Sequence, residues 1–470
     1  MNSIKIEKLF LIISLFVGLL LVFIVPPFQS PDENTHFLKA YEISKGKFYP
    51  EQIGKDIGYT ESDEILQYIQ DKESYASNRA KKYTYEEMYY EQLVGINYSG
   101  KYSTITAVNV TPIAHLIPAL GIQLTDYIKP FDGVGEVGVA VKLQSARIMS
   151  LLFYSIICYF AIKITPRYKK SFFAILLLPN ALLLRSMVSY DGLVLSVSAL
   201  AIAYILDLYY GKTKFETKHM ILFMFIGYIL LNVKVVYFLM LGGLLFIPVT
   251  KFKSKKDKWM TYLKIILLIL FFIVVFKIPN LFLNSQANEM QNLQTAYIMQ
   301  HPFNTSLIII KNIIGQLSIQ LYWLFGTYGL LDTYMPVLFV KINELLLILI
   351  LIFDASKYEK NETVLFRVLY VLIFGIIIFG MYLAMYKGWT PIVLNTIGGN
   401  IVTGVQGRYY IPLLLMIPII IGNNILIKFK EKRVIKYIDK AGTIILDNIV
   451  YMVLFNLILS LLIIVLRFYA

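Results

Sequence analysis

The sequence predicts an all-α polytopic membrane protein with one large polar segment on the outer side of the bilayer. Hydrophobic residues make up 57% of the 470 positions, more than the roughly 45–50% that is usual for soluble domains. They are grouped into long runs, and short loops rich in lysine and arginine separate many of these runs. Apolar runs of spanning length with cationic cytoplasmic loops are typical of transmembrane helices.

The first apolar run, about 8–25, predicts a first span that stays attached to the chain. Pro26 and Pro27 follow it directly and no cleavage site of small residues is present, which argues against a signal peptide. Residues 26–111 carry 13 acidic and 9 basic residues, whereas the whole chain carries 30 acidic and 44 basic ones. This reversed charge bias places the segment outside. The apolar stretch 112–124 is too short to span and is expected to lie at the membrane surface or to dip into it.

The remaining apolar runs bring the expected number of spans to about 11. They are 139–162, 171–186, 191–209, a hairpin of two short spans within 219–248 that turns at 232–234, then 261–278, 337–354, 364–386, 409–427 and 448–468. Residues 305–325 are expected to form a re-entrant or interfacial helix. The chain then divides into a first helix (1–25), an outer loop (26–138), a bundle (139–278), a second outer segment (279–336) and C-terminal helices (337–470).

The composition excludes several classes of protein. The net charge of +14 comes from cations in short loops, as the positive-inside rule expects, so we expect no nucleic-acid partner. Cys158 is the only cysteine, which excludes an internal disulfide and a cysteine metal site. No glycine-rich phosphate loop stands at a strand–helix junction, so no nucleotide site is indicated.

An acidic turn follows the first span at Ser30-Pro31-Asp32-Glu33. Ser30 suits the N-cap of a helix, Pro31 its first position and Glu33 a capping box. Plain capping would explain Glu33 but leaves Asp32 without a purpose. Asp32 and His36 are four residues apart and Glu33 and His36 three apart, so on a helix they share a face. Asp32, Glu33 and His36 are therefore candidates for proton transfer at the membrane surface.

A second candidate lies in the short outer connection Arg185 to Gly192. In the simplest interpretation, Ser189 or Asp191 caps the next helix and Arg185 extends to the membrane surface. The functional alternative places Asp191 beside Asp32, so that two acids share one outer surface. Asp332 is a further outer acid, although it also suits a turn before a proline.

Several cations stand near the same outer face. Arg408 lies where a span enters from outside, and arginine is well suited to binding phosphate oxygens. Arg147 and Lys234 lie within apolar segments, where charges are costly and often functional, although internal ion pairs or snorkelling would also explain them. Tyr409 matches the aromatic belt. Acids beside cations suggest a lipid-linked phosphosugar whose phosphate leaves while a carboxylate takes the acceptor's proton.

The residues Pro27-Phe28-Gln29-Ser30-Pro31-Asp32-Glu33-Asn34-Thr35-His36-Phe37 resemble the opening of a bacterial membrane family called domain of unknown function 2142. Arg147, Lys234 to Tyr237, Leu331 to Pro336 and Gly407 to Tyr409 follow in the order of that family. The family resembles the GT-C glycosyltransferases, which are multi-span enzymes that use polyprenyl-phosphate sugars. Ser186 to Asp191 is also similar to the second acidic motif of oligosaccharyltransferase catalytic subunits.

The resemblance implies a GT-C-like bundle with a large first extracytoplasmic loop and a role for each candidate residue. Asp32 would be the general base, assisted by Glu33 or His36, and Asp191 would position the acceptor or an ion. The donor phosphate would bind to Arg408, Arg147, Lys234 and Arg185, and the substrate would contact Tyr190, Asp332 and Tyr409. The superfamily often has Asp-x-Asp or Asp-Asp where this chain has Asp-Glu. The choice of base therefore stays open, as does a divalent ion shared by Asp32, Glu33 and Asp191.

The expected activity is inverting transfer of a sugar from a polyprenyl-phosphate donor to a cell-surface or cell-wall glycan. The expected place is the bacterial cytoplasmic membrane, with the active site facing outside and the lipid bilayer as a permanent partner. A lipid-linked glycan flippase or transporter and a polysaccharide polymerase are the alternatives from other functional classes. A binding or assembly subunit without catalysis is a third alternative.

Overall fold

The computed structural model describes residues 4–53, 56–106, 111–130, 133, 135–278, 289–357, 363–422 and 434–470. It is 75% helix, as a helical membrane protein requires. Within the described residues, 7 helices are long and apolar enough to cross a membrane. They are Ile6–Ile24, Val139–Ile164, Tyr190–Tyr210, Lys255–Lys277, Pro302–Gly326, Val364–Gly388 and Ile449–Phe468.

The first part of the chain forms the first helix, a unit of short helices and strands within residues 26–138, and the beginning of the bundle. We call this unit the outer domain, after the side of the membrane on which the sequence predicts it to lie. The elements of this first part are α1 (Ile6–Ile24), α2 (Glu33–Ser44), β1 (Glu51–Ile53), β2 (Asp56–Ser62), α3 (Asp63–Ser77), α4 (Tyr85–Leu93), β3 (Gly95–Ile96), β4 (Tyr102–Thr106), α5 (Leu116–Leu124), β5 (Glu136–Val137), α6 (Val139–Ile164), α7 (Lys169–Leu176), α8 (Pro179–Ser186), α9 (Tyr190–Tyr210), α10 (Thr217–Val233) and α11 (Lys255–Lys277). Short 3-10 helices cover Pro112–Ala114, Thr125–Tyr127, Val235–Phe246 and Val249–Lys251.

The second part returns through the bundle. Its elements are α12 (Glu289–Gln300), α13 (Pro302–Gly326), β6 (Thr327–Tyr328), β7 (Thr333–Tyr334), α14 (Val337–Ser356), α15 (Val364–Gly388), α16 (Thr390–Leu394), a 3-10 turn at Gly407–Tyr410, α17 (Ile411–Leu414), α18 (Ile417–Ile421) and the two helices Val434–Asp447 and Ile449–Phe468. The predicted span 409–427 and the boundary at residue 279 fall partly outside the described residues.

The outer domain contains short antiparallel strands in addition to the expected helices. β2 lies between β1 and β4, with Gly58 opposite Glu51 and Tyr59 opposite Ile105. β3 pairs with β5, the strand that leads directly into α6. The outer domain is therefore tied to the membrane bundle by backbone hydrogen bonds at the entry to α6.

The predicted span 171–186 is two short helices, α7 and α8, of 8 residues each. The break falls before Pro179, which occupies the first turn of α8. Proline has no N–H to donate and its ring collides with the carbonyl of the preceding helical turn, so one continuous helix cannot form there. Asn180 uses the break to donate to the carbonyls of Trp323 and Leu324 at 3.0 and 2.8 Å.

The hairpin predicted within 219–248 turns at the expected place. α10 ends at Val233, the 3-10 helix begins at Val235, and Lys234 is the junction residue. The two helices have 17 and 12 residues, fewer than a single span of about 20 residues needs. This hairpin delivers Lys234 to the site described below.

An extended segment, 400–406, runs along α13 and leads to Arg408. The side-chain amides of Gln316 and Gln320 donate to the carbonyls of Val402 and Val405 at 2.8 and 3.0 Å. A Cβ at Gly407 would overlap the backbone of α13. Only glycine allows this approach, and it fixes where Arg408 leaves the chain.

Candidate functional site

The acidic turn folds differently from the predicted cap. α2 begins at Glu33, and Asp32 is its N-cap residue, in the left-handed region with φ 62° and with no side-chain capping bond. The predictions of Ser30 as N-cap, Pro31 as first helical residue and Glu33 as part of a capping box are therefore wrong. Aspartate is one of the few non-glycine residues that occupies this region readily. The left-handed turn separates the Asp32 side chain from the direction that Glu33 takes.

Glu33 points into the protein and binds Arg147. Arg147 Nε donates to Oε1 at 2.9 Å and Nη2 donates to Oε2 at 2.6 Å, so the contact is bidentate. The backbone N–H of Val188 also donates to Oε1, at 3.0 Å. Arg147 also donates hydrogen bonds to the carbonyls of Val22, Val25 and Pro26. These contacts leave neither side chain available to a substrate.

Asp32 points towards Arg408 and begins a line of four alternating charges. Arg408 Nη2 donates to Asp32 Oδ2 at 2.5 Å, and Nη1 donates to the Pro31 carbonyl at 3.1 Å. Arg408 Nε lies 3.2 Å from Asp191 Oδ2, and Lys234 Nζ lies 2.5 Å from Asp191 Oδ1. We call Asp32, Arg408, Asp191 and Lys234 the charge network. Its members come from four separate parts of the chain and their formal charges cancel.

Burial differs sharply along the charge network. The side chains of Arg408 and Asp191 are each 8% exposed, whereas that of Asp32 is 55% exposed. Lys234 is intermediate at 16%. Arg408 Nε is buried and has no hydrogen-bond partner among the described residues, because its contact with Asp191 is one of distance and charge alone. Asp32 is thus the end of the network that solvent and an incoming molecule reach first.

Two tyrosines line the cationic end of the charge network. Lys234 Nζ lies 3.8 Å from the ring centre of Tyr409 and 5.2 Å from that of Tyr190. Tyr237 donates its hydroxyl to the Tyr409 carbonyl at 2.6 Å. Aromatic faces hold a cation without neutralising it, so these rings add to the contact with Asp191 in fixing the position of the Lys234 ammonium.

Ser189 caps α9 and leaves Asp191 free for the charge network. The Ser189 hydroxyl accepts from the Asp191 N–H at 3.1 Å. The capping interpretation is therefore confirmed for Ser189 alone. Asp191, in the first turn of α9, faces Lys234 and Arg408 instead.

A family comparison adds to this geometry. Residues 15–417 match the family described as "Predicted membrane protein (DUF2142)". The chain belongs to this family. The DUF2142 region contains the whole charge network, and its description gives a membrane location without a reaction. No curated protein and no solved structure matches the chain.

His36 of the DUF2142 region adjoins the charge network, together with a histidine that the sequence did not single out. His36 Nδ1 lies 2.9 Å from His115 Nε2, and the rings of His36 and Tyr190 have centroids 4.4 Å apart. Burial lowers the pKa of His36 to about 4, against the opposing pull of the Asp32 and Asp191 carboxylates. Burial also holds the pKa of His115 well below its usual range. Both imidazoles are therefore neutral at pH 7.

Two other predicted residues lie in contacts of their own. Arg185 is fully buried and donates to the Leu176 carbonyl at 2.7 Å and to Ser14 Oγ at 3.2 Å. Asp332 accepts from Arg467 Nη2 at 2.7 Å and from Nε at 3.0 Å. The structure thus brings Asp32, Asp191, Lys234, Arg408, His36, Tyr190 and Tyr409 together, and it places Glu33, Arg147, Arg185 and Asp332 in separate pairings.

A divalent ion does not fit the three acids that were candidates to share one. Arg408 stands between the Asp32 and Asp191 carboxylates, and Glu33 is bound to Arg147. No group of three or more His, Cys, Asp or Glu residues in the described ranges is arranged to hold a metal. The charges that face the two aspartates of the charge network are those of Arg408 and Lys234.

Proposed function

We propose that this DUF2142 protein is an inverting glycosyltransferase that uses a polyprenyl-phosphate sugar on the extracytoplasmic side of the cytoplasmic membrane. Its acceptor would be a cell-surface or cell-wall glycan. The proposal includes a GT-C-like bundle of about 11 spans. The observation that supports it most is the charge network, in which a half-exposed aspartate is held by a buried arginine beside a second cation.

The cations suit the donor phosphate. Arg408 Nη2 points to the half-exposed Asp32, and Lys234 lies on the other side of Asp191. A phosphodiester oxygen that approaches from the Asp32 side would accept a charge-assisted hydrogen bond from Arg408 Nη2, and Lys234 adds a second positive charge to the site. Fixed cations also stabilise the charge that grows on the phosphate as it leaves.

Donor binding would also release the base. In the free protein Asp32 is the partner of Arg408 Nη2. A phosphate that takes this nitrogen replaces Asp32 as the anion, and the exposed carboxylate becomes free to accept a proton. Asp191 stays paired with Lys234 and Arg408 and keeps both cations in position. His36 is neutral and buried, and it packs against Tyr190 and His115 without taking the proton.

The proposed transfer step is a direct displacement at the anomeric carbon of the donor sugar. The acceptor hydroxyl oxygen attacks the anomeric carbon from the face opposite the phosphate, which inverts the configuration. The new oxygen–carbon bond forms as the carbon–oxygen bond to phosphate breaks. The hydroxyl proton moves to Asp32, and polyprenyl phosphate departs with the bonding electrons.

The test is transfer by the purified full-length chain from a polyprenyl-phosphate sugar carrying a radiolabelled sugar. We expect Asp32→Asn to lower the rate by about 10²–10⁴-fold, the usual contribution of a general base. Arg408→Ala should lower it by a comparable factor because the donor phosphate loses its main partner. Asp126→Asn removes an exposed outer acid away from the charge network and serves as the matched control. Full transfer by both the Asp32 and Arg408 variants would overturn these roles.

A flippase receives less support. Its charges should line a path through the membrane, yet Arg147 and Arg185 in the described interior are bound to protein groups. Consumption of the donor in detergent, where there are no two compartments, would separate transfer from transport. Product length would separate the addition of single sugars from polymerisation.

A further inference from the structure

A cavity of about 320 Å³ lies in the outer domain, apart from the charge network. It is formed by α3, α4, β3 and the first residues of α6. The side chains that give it chemical character are Glu64, Tyr68, Tyr90, Glu91 and Asn97. Its volume lies at the lower end of the range of ligand pockets, about 300–1,000 Å³, which suits one small ring.

One aromatic wall of the cavity is rigid. The Tyr68 hydroxyl donates to Glu91 Oε2 at 2.7 Å, and the Tyr83 hydroxyl donates to the same oxygen at 2.6 Å. Lys72 forms an ion pair with the other oxygen of Glu91. Glu91 is thus neutralised and fixed, and it holds the Tyr68 ring in place.

The other aromatic wall is open. Tyr90 is 65% exposed and lines the cavity from α4. A ring that faces both solvent and a cavity costs hydrophobic free energy until a ligand covers it. Tyr68 and Tyr90 together offer aromatic faces to the C–H groups of a ligand.

Glu64 contributes a carboxylate to the lining of the cavity. Glu64 Oε1 accepts from the Ser99 N–H at 2.9 Å, whereas Oε2 is buried without a partner among the described residues. A ligand hydroxyl that reaches the Glu64 carboxylate from the cavity would gain a charge-assisted hydrogen bond. Among the described residues, no side chain caps the start of α6 at Gly138.

We propose that this cavity binds one pyranose ring of a neutral glycan. Aromatic rings cover the C–H faces of a sugar, while a carboxylate oxygen and an amide bind its hydroxyls. The negative charge of Glu64 in the lining disfavours a phosphate, so the cavity does not fit the head group of a lipid-linked donor. The proposal goes beyond the transfer reaction and does not depend on it.

The cavity packs against the segment that carries the acidic turn. The rings of Tyr68 and Phe28 have centroids 6.3 Å apart, and Phe28 lies in the segment that leads to Asp32. Asn34 on α2 also donates to Glu73 on α3. A glycan held in the cavity would therefore be bound next to the segment that carries Asp32.

Saturation-transfer NMR tests this proposal with a panel of methyl hexopyranosides. The full-length protein is kept in amphipol, because maltoside detergents would themselves occupy a sugar site. We expect binding of at least one hexoside and an affinity roughly three- to tenfold weaker in Tyr90→Ala, as the loss of one aromatic contact predicts. Glu64→Gln keeps an oxygen for Ser99, so it should fold normally and weaken binding as well.

Matched controls come from the same outer domain. Tyr89→Ala removes a neighbouring exposed ring and Glu86→Gln an exposed acid, and neither residue lines the cavity. Both should bind the hexoside as the unmodified chain does. The proposal would be overturned by the absence of any hexoside signal. It would also be overturned if Tyr90→Ala and Glu64→Gln bound the hexoside as tightly as the unmodified chain. Asp32→Asn should leave this binding unchanged, so failure of sugar transfer and failure of this site are separate results.

Discussion

At the scale of single residues, burial and side-chain orientation give neighbouring carboxylates different roles. Asp32 and Glu33 are adjacent acids, yet one meets Arg408 at the surface and the other meets Arg147 in the interior. Asp32 and Asp191 share Arg408, but their side-chain exposures are 55% and 8%. The exposed acid is suited to exchange a proton, and the buried one to hold cations in place.

A pair of buried carboxyl groups in the outer domain gives a prediction at this scale. Glu42 is fully buried, and burial together with the neighbouring Glu61 raises its pKa from its ordinary 4.5 to about 7, although Lys47 and Lys45 oppose the shift. The folded state therefore holds a proton that the unfolded state releases. The contribution of Glu42 to the free energy of unfolding is fully present below about pH 4.5 and is lost as the pH rises through about 7.

Glu42→Gln should remove this pH dependence. The variant keeps a neutral side chain at every pH, so we expect a higher thermal midpoint than the unmodified chain at pH 8 and little difference at pH 5. Thermal melts followed by circular dichroism at both pH values measure this. Glu51→Gln, at an exposed acid on β1, is the control and should change neither value. A Glu42 variant with a lower midpoint at pH 8 would contradict the sign.

At the scale of elements, the Glu33–Arg147 contact joins four segments at one point. Arg147 on α6 binds the carbonyl end of α1, Glu33 begins α2, and the Val188 N–H precedes α9. Removing one partner of a buried pair leaves the other charge without compensation, which costs about 3–5 kcal/mol. The relative position of these helices, and hence of Asp32 and Asp191, depends on this contact.

We therefore expect Arg147→Met to lower thermal stability strongly, by about 3–5 kcal/mol. The double variant Glu33→Gln with Arg147→Met should recover part of the loss, because no uncompensated charge remains. Size-exclusion chromatography of heated, detergent-solubilised protein measures both. Lys218→Met breaks a pair with Glu216 that is exposed on both sides and should change the stability far less. An Arg147 variant as stable as the unmodified chain would show that the pair is dispensable.

At the scale of the whole molecule, the sidedness of the loops was the most informative property of the sequence. Alternating spans put residues 32, 191, 234 and 408 at one face, and the structure joins these residues into the charge network. Periodicity could not assign the individual cations. Arg147 lies in an apolar segment as Lys234 does, and only the fold reveals that Glu33 already occupies it.

Other features left no readable signal in the sequence. His115 stands in a short apolar stretch, and its role depends on the approach of α5 to α2, which a single sequence does not encode locally. The strands of the outer domain are 2 to 7 residues long, and pairing with distant partners decides whether such short segments become strands. The resemblance of the Pro27 to Phe37 motif supplied the family, which the match over residues 15–417 confirms.

The orientation in the membrane can be measured directly. Cys158 is fully buried, so the unmodified chain provides a background with little thiol reactivity. Glu86→Cys in the outer domain should react with a membrane-impermeant maleimide in intact cells. Lys212→Cys, in the exposed loop after α9, should react only after the membrane is permeabilised. The opposite pattern would place the charge network on the cytoplasmic side.

The end of the helix Ile449–Phe468 makes contacts that matter for the order of synthesis. Lys82 in the outer domain donates to the carbonyl of Arg467, 385 positions later, and the Tyr83 N–H donates to the Phe468 carbonyl at 2.7 Å. At about 5–20 residues per second, a ribosome needs roughly 20–80 s to cover that separation. The outer domain is therefore synthesised long before its last partner exists. During that interval its own sheet and the contacts of α2 with α5 and α6 must keep the nascent domain from aggregating.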